Sequence, residues 1–579
     1  MTWLKDSFKV SGREFDKVVS PRETLAWVHG RLRDSGIRLL HGTERIDKGR
    51  LGIPVFVSRY CAAASRLTGT AKQMGKGATP AQAEASAVME LVERFSLFVF
   101  VKERPHRASR LQSSNEADFP LDHMFRGIHV PPPTGGDLDR TVRLVKMLPL
   151  KWARAYRLWD GHEAWLPWSW FWPVNEYNGS AAGNSLEEAG VQAMCEVVER
   201  HVCSLVSYEH LTAPSISPDS LNDPVAKDLL SRFRRLGIEV VLKDFSCCMD
   251  IPTVGAIAWD PSTFPERSEI VYTAGTAPDP ERAVVRALTE VAQLAGDFDT
   301  EGRYVESGLP KFASLEEASG VLASPSTVSI RDLPRHGSEN FRAELESLAL
   351  ALAGRGLDAY LLDITHPELG IPAVYVVIPG NHFRERTRGL DAVFHCSRLA
   401  AALDSPGEAL SVLRAAENTF PGRYDVAFYT GHALEKAGRH AEALEWYGRA
   451  LERGPDPGEV ASIYCHRGLC YKELGDFPEA IGQLERSLTL NAGLKETHNL
   501  LGYCLYRTGE HARAIAAFEH AIAIDPGSAV DYANIASNLR CLGMTHEASR
   551  WYEMAMELDP ELEWARRQMQ ELALGCVTE

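Results

Sequence analysis

The chain has 579 residues, of which 62 are Lys or Arg and 78 are Asp or Glu, giving a formal net charge of −16 with 45% hydrophobic and 24% charged residues. That length exceeds what one core can organise and predicts two or three domains of ordinary globular composition. The acidic balance excludes broad contact with nucleic acid or an anionic membrane, and no apolar run approaches a membrane span.

Met1-Thr2-Trp3-Leu4-Lys5 is not followed by an apolar leader segment, so the expected location is the cytoplasm. Lys5, Lys9, Arg13 and Lys17 precede a capped amphipathic helix predicted from Ser20-Pro21 to Ser35, ending before Gly36, with Leu25, Val28 and Leu32 on its buried side. Gly52-Ile53-Pro54-Val55-Phe56-Val57 reads as a strand entered by Pro, and the same lead-in recurs at Ile251-Pro252-Thr253-Val254 and Ile371-Pro372-Ala373-Val374-Tyr375. Gly75-Lys76-Gly77 then places two backbone-exposing glycines and a Lys where a phosphate could sit, although it lacks the spacing of a Walker A loop.

Three helices follow one grammar. They are capped by Thr79, Ser185 and Asp279, and two of them carry Pro at the first helical position (Pro80 and Pro280). Counted from each cap, Ala stands at +4 (Ala83, Ala189, Ala283) and +8 (Ala87, Ala193, Ala287), and Glu at +11 (Glu90, Glu196, Glu290). Position +14 carries Glu93, Glu199 and Gln293. At about 100° per residue, +7, +11 and +14 form one stripe. It reads Ser86/Glu90/Glu93, Gln192/Glu196/Glu199 and Arg286/Glu290/Gln293. The small residues beside it would let another backbone approach, and the remaining faces are apolar. Carboxylates kept against a core are costly unless paired or bound to cations; this many of them suggest hard divalent ions, and Mg²⁺ brings phosphates with it. A single copy reads equally as a solvated face, with Arg94 and Arg200 as neutralising neighbours and Ser185-x-x-Glu188 as a capping box. Three copies in one register favour a shared site.

Residues 104–140 read as loop, including Pro131-Pro132-Pro133. Trp152, Trp159, Trp165, Trp168, Trp170 and Trp172 then cluster in a β-like stretch whose aromatics belong to the core. Ile238–Leu242 is a predicted strand, 316–336 a surface loop, Ser338–Gly354 a helix and Ala359–Ile364 another strand. From residue 400 the pattern changes. Gly438, Gly475, Gly509 and Gly543 recur at steps of 37, 34 and 34, as do Ala443, Ala480, Ala514 and Ala548. These resemble tetratricopeptide repeats: four units, with a degenerate fifth beginning near Pro406, expected to stack into a short superhelix of the kind that binds peptide or protein partners. The eleven cysteines, Cys247-Cys248 among them, lack framework spacing and read as reduced thiols; the nineteen histidines lack H-x-x-x-H or comparable spacing, so no zinc site is expected.

The blocks Gly75-Lys76-Gly77, Ser86-x-x-x-Glu90-x-x-Glu93-Arg94, Asn178 through Ala189, Glu196-x-x-Glu199-Arg200 and Arg286-x-x-x-Glu290-x-x-Gln293, in that order over roughly residues 1–390, resemble the YcaO family. The resemblance implies an α+β fold: a YcaO-type domain of mixed and antiparallel sheets packed with helices over 1–392, a linker and degenerate repeat over 393–424, and an all-α repeat superhelix over 425–579. It implies ATP and Mg²⁺ as cofactors and phosphorylation of a backbone amide during attack by a thiol, hydroxyl or sulfide, giving an azoline or a thioamide. Carried over by position, the catalytic candidates are Glu90, Glu199, Arg286 and Glu290. The nucleotide-binding candidates are Lys9, Lys76, Ser86, Asn184, Glu188, Gln192, Arg286 and Gln293, and the metal ligands Glu90, Glu93, Glu196, Glu199 and Glu290. The terminus Ala573-Leu574-Gly575-Cys576-Val577-Thr578-Glu579 lacks the Pro-rich tail of azoline-forming members, which favours thioamide formation or modification of a ribosomal protein. Expected partners are a peptide or protein substrate (a precursor peptide or ribosomal protein), a sulfur-transfer protein, a protein on the repeats, and a second copy in a homodimer. The alternatives are an ATP-binding accessory factor for ribosomal-protein methylthiolation, and a scaffold without catalysis.

Overall fold

The structure is a computed structural model of the whole chain, and it describes residues 4–10, 16–103, 107–110, 119–128, 134–208, 211–246, 249–295, 298, 312–383 and 390–575. Arg13, the run Pro131-Pro132-Pro133, Cys247-Cys248 and the end Cys576–Glu579 lie outside the described residues. The chain divides into two compact units, one of residues 1–132 with 149–390 and one of residues 133–148 with 391–579.

The first unit opens on the predicted helix, Pro21–Ser35, capped reciprocally by Ser20 and Glu23 and stopped by Gly36 at φ 69°. Its strands form three sheets. A three-stranded antiparallel sheet runs Leu40–Arg45, Val55–Tyr60, Lys72–Lys76. A five-stranded sheet runs Val271–Thr276, Thr253–Trp259, Glu239–Asp244, Ser215–Ile216, Thr327–Val328, its last pair parallel. A six-stranded sheet runs Arg107–Arg110, Pro149–Arg157, Tyr360–Asp363, Ala373–Val377, Ser180–Ala182, with Glu163–Leu166 also paired to Pro149–Arg157.

The three Pro-led segments are strands, each beginning at the residue after its Pro: Val55, Thr253 and Ala373. Pro has no N–H for the ladder, so pairing starts one residue later than the sequence suggested for Gly52–Val57. Each of these strands pairs antiparallel with a strand at the edge of its own sheet: Lys72–Lys76, Val271–Thr276 or Ser180–Ala182. Each edge strand turns through three residues (77–79, 277–279, 183–185) into one of the acidic helices, Pro80–Glu103, Pro280–Ala295 and Leu186–Tyr208. The unit that carries the site is therefore built three times.

The small residues explain how strand and helix lie so close. A Cβ on Gly75 would stand 2.0 Å from the Ala87 nitrogen, on Gly275 2.5 Å from the Ala287 nitrogen, and on Gly183 2.7 Å from the Ala189 nitrogen. Gly75 and Lys76 thus belong to a strand, and Gly75 is needed for its packing on the helix. The tryptophan cluster is corrected in part. Trp152 and Trp165 lie on strands, but Trp168, Trp170 and Trp172 lie on the helix Trp168–Asn175, where Trp168 and Trp172 stack one turn apart with centroids at 5.4 Å. Trp152, Trp168 and Trp170 are core, whereas Trp159 is 38% exposed. The loop read over 316–336 contains the short helix Ser319–Leu322 and the edge strand Thr327–Val328. No helix among the described residues is long and apolar enough to cross a membrane.

The second unit is all helix. Tyr424–Lys436 with His440–Glu452, Pro457–Glu473 with Phe477–Leu490, Lys495–Thr508 with His511–Ile524, and Ala529–Cys541 with Thr545–Leu558 are the four predicted pairs, followed by Glu563–Gly575. Gly438, Gly475, Gly509 and Gly543 turn each pair at φ 73–83°, and Ala443, Ala480, Ala514 and Ala548 are fully buried between helices. The 393–424 segment, expected as a linker and degenerate repeat, is helical: Ala392–Ala401 and Pro406–Thr419 pack ahead of the first pair, the second beginning at Pro406, with Gly136–Met147 from far upstream against both.

Candidate functional site

The three caps form as predicted. Thr79 accepts from the Gln82 nitrogen (3.3 Å), Ser185 from the Glu188 nitrogen (3.1 Å) and Asp279 from the Glu281 nitrogen (2.9 Å). Away from the stripe the helices are buried: Ala83, Ala87, Val88, Leu91 and Val92 in the first, Ala193, Met194, Val197 and Val198 in the second, and Ala283, Val284, Ala287 and Leu288 in the third are all at 0% exposure. Along the stripe Glu93 is buried, and Ser86, Glu90, Gln192, Glu196, Glu199, Arg286, Glu290 and Gln293 are half-buried.

The three stripes meet through their strands. At the end of the first edge strand, Lys76 pairs with Glu290 of the third helix. At the end of the third, the Thr276 nitrogen donates to Glu199 of the second helix at 2.9 Å. At the start of the second, the Ser180 hydroxyl donates to Glu93 of the first helix at 2.6 Å. Each strand end serves the helix of another unit, and the three contacts close a ring. Within it Arg286 donates to Gln192 at 2.6 Å, the Gly179 nitrogen to Glu196 at 3.3 Å, and Arg94 reaches Glu93 at 3.3 Å and Glu90 at 3.7 Å.

The electrostatics follow from this crowding. Burial pushes the Glu93 carboxyl up to about 8 against the pull of Arg94 and the Ser180 hydroxyl, with Glu196 and Glu90 adding to the rise. Burial raises Glu90 as well, opposed by Arg94 and Lys76. The Lys76 ammonium is drawn down to about 8, first by burial, with Arg286 and Arg200 adding to the fall while Glu199 and Glu90 oppose it. Burial thus disfavours the charged forms of Glu93, Glu90 and Lys76, and a bound divalent cation and anionic ligand would supply the counter-charges they lack. The donor set fits Mg²⁺, which uses one or two carboxylates and completes its shell with water and phosphate oxygens. Among the described residues no three of these carboxylates bring ligand oxygens within 4.8 Å of one another.

Other candidates stand at the margin. Asn184 accepts from the Thr24 hydroxyl at 2.9 Å and donates to both oxygens of Glu188 at 3.1 Å. Glu188 also takes the Val18 nitrogen at 3.0 Å and pairs with Lys17 at 3.3 Å, so both residues anchor the N-terminal segment to the second helix. Lys9 is held by Asp16 and Glu344 at 2.5 Å each and is not brought onto the stripe. Sequence reasoning assigned no role to Ser180, to the Thr276 and Gly179 nitrogens or to Arg94 as a site residue. Ser180 lay within a quoted motif, but its partner is 87 residues away.

A family model described as YcaO cyclodehydratase, ATP- and Mg²⁺-binding, matches residues 74–382, and tetratricopeptide-repeat models match 427–492 and 467–529. An uncharacterised protein of Methanothermobacter thermautotrophicus is 30% identical over 392 residues, 63% of this chain and 94% of that protein. The ribosomal protein S12 methylthiotransferase accessory factor YcaO of Escherichia coli is 25% identical over 341 residues, 53% of this chain and 56% of that protein. Among solved structures, a heterocyclase in complex with substrate and cofactor shares the fold with a TM-score of 0.53 and 20% identity, over 66% of this chain and 55% of that one.

Proposed function

The chain belongs to the YcaO family, with ATP and Mg²⁺ as its cofactors, and from that premise we propose that it activates a backbone amide of a peptide or protein substrate at the expense of ATP. The ring of contacts Lys76–Glu290, Thr276–Glu199 and Ser180–Glu93 carries this reading, because it draws three acidic stripes from distant sequence together. Glu90, Glu93, Glu196, Glu199 and Glu290 would hold Mg²⁺, and Lys76, Arg286, Gln192, Ser86 and Gln293 would face the nucleotide. Bound Mg-ATP supplies the phosphoryl group that turns an amide oxygen into a leaving group. The residues' own part would be positional: the Lys76 and Arg286 cations would offset the charge that spreads during phosphoryl transfer. No side chain of the ring is a free nucleophile, which suits an attacking group brought by the substrate or a sulfur-transfer partner, leading to an azoline or a thioamide. The repeats would recruit that substrate or partner. A second reading, an ATP-binding accessory factor for ribosomal-protein methylthiolation, draws on the name of the Escherichia coli relative.

The test is Mg²⁺-dependent ATP binding and hydrolysis by the full chain, with and without candidate peptides. Glu90→Gln and Glu199→Gln should each lower turnover by at least about 100-fold, the scale of losing one transition-state electrostatic partner. Wild-type affinity and turnover in both variants would sink the carboxylate assignment, and absence of Mg²⁺-dependent ATP binding would leave only a scaffold. Binding without hydrolysis in the presence of any peptide would favour the accessory factor.

A further inference from the structure

His432 and Glu435 lie one turn apart on Tyr424–Lys436, and His466 lies on Pro457–Glu473, the first helix of the next repeat. Their ligand atoms all lie within 4.8 Å of one another. Glu435 Oε2 is 3.1 Å from His466 Nδ1 and accepts from the Tyr447 hydroxyl at 2.9 Å. Cys470, one turn beyond His466, brings Sγ to 3.7 Å from the same oxygen. The His432 and His466 rings meet edge to face at 5.2 Å, and His432 Nδ1 is buried without a hydrogen-bond partner among the described residues. Lys436, the nearby cation, turns away to the Ala402 and Leu403 carbonyls at 3.3 and 2.8 Å.

A His–Glu pair inside a repeat core accounts for Glu435 and His466 but leaves His432 unexplained. Nor does repeat packing require the trio: counted from the turn glycines, the same places between the next helices hold Leu469, Lys472 and Leu500, and then Tyr503, Tyr506 and Asn534. We propose that His432, Glu435 and His466 bind one zinc-class divalent ion that ties the first repeat to the second. Two imidazoles and a carboxylate favour Zn²⁺ over Mg²⁺ or Ca²⁺. Tetrahedral Zn²⁺ with bonds of about 2.1 Å sets its donors about 3.4 Å apart, a spacing the Glu435–His466 pair already has. The fourth position falls to water, since the Cys470 sulfur lies near Glu435 but outside the group of mutually close ligand atoms. Tyr447 orients the carboxylate, the outer-layer support such ligands need. The absence of H-x-x-x-H argued against zinc in the sequence; here 34 residues separate the histidines, and it is the stacking of two repeats that brings them together.

The experiment is competition titration of the chelator-stripped full chain with Zn²⁺, with metal content measured after dialysis. Wild type should take up one ion. His432→Gln, Glu435→Gln and His466→Gln should each weaken uptake at least 100-fold, and Tyr447→Phe about tenfold, in keeping with the effect of outer-layer partners. Helical circular dichroism checks that each variant is folded, and Glu90→Gln should retain the ion, which separates this site from the acidic ring. Co²⁺ in place of Zn²⁺ should give tetrahedral visible bands without a near-ultraviolet thiolate band. No stoichiometric uptake, or uptake unaffected by His432→Gln in the folded chain, overturns the proposal.

Discussion

Glu344 gives one oxygen to Lys9 and is 1% exposed, and its Oε2 finds no hydrogen-bond partner among the described residues. Burial pushes its carboxyl up to about 7 from an ordinary 4.5, against the pull of Lys9. Burial lowers Lys9, but Asp16 and Glu344 more than offset that, so its ammonium stays charged and is shared by two acids. The folded state thus binds an extra proton between about pH 4.5 and 7. The stabilising contribution is whole below about 4.5 and is lost as pH climbs through 7. Between pH 5 and 8 the unfolding midpoint of Glu344→Gln should fall less than that of wild type; parallel slopes would contradict this. At this scale the acidic stripe was legible, because +11 and +14 on a capped helix need only helical geometry. The Ser180–Glu93 and Thr276–Glu199 contacts were not, because they depend on how three sheets far apart in sequence assemble.

Gly75, Gly183 and Gly275 let each edge strand lie directly on its helix. Gly75→Ala sets a methyl 2.0 Å from the Ala87 nitrogen, which is backbone and cannot rotate away. It should cost about 1–3 kcal/mol or more and reduce ATP turnover by moving Lys76 relative to Glu290. Gly42→Ala, with nothing within 4 Å, should stay within about 0.5 kcal/mol; denaturant melts of both variants decide it. The pairing of small residue and helix was half visible in sequence, since Ala at +4 and +8 announced a close neighbour without naming it. The tryptophan stretch misled because aromatic enrichment favours strands, whereas the four-residue spacing of Trp168 and Trp172 was the helical signal. Ser405-Pro406, read as the start of a degenerate repeat, uses the cap-and-Pro device of the acidic helices; the Ser405 side chain accepts from the Glu408 nitrogen.

Across the whole molecule, the two halves expected from the change of pattern near residue 400 are present, but one segment is exchanged: residues 133–148 belong with 391–579. No local pattern marks this, because an amphipathic helix does not announce which core will cover it. Leu144, 3% exposed on Gly136–Met147, tests the assignment. Leu144→Asp, which buries an unpaired charge, should destabilise by about 3–5 kcal/mol. In calorimetry the loss should fall on the transition that Mg-ATP does not shift, since a ligand raises only the unit that binds it. A loss on the ATP-shifted transition would return the segment to the first unit. The exchanged helix also sets a problem of timing at the ribosome. Its covering helices, Ala392–Ala401 and Pro406–Thr419, are translated roughly 245 residues later, a wait of roughly 12–50 s at about 5–20 residues per second. Through that interval a nascent segment with an apolar face lacks the helices that shelter it in the folded chain.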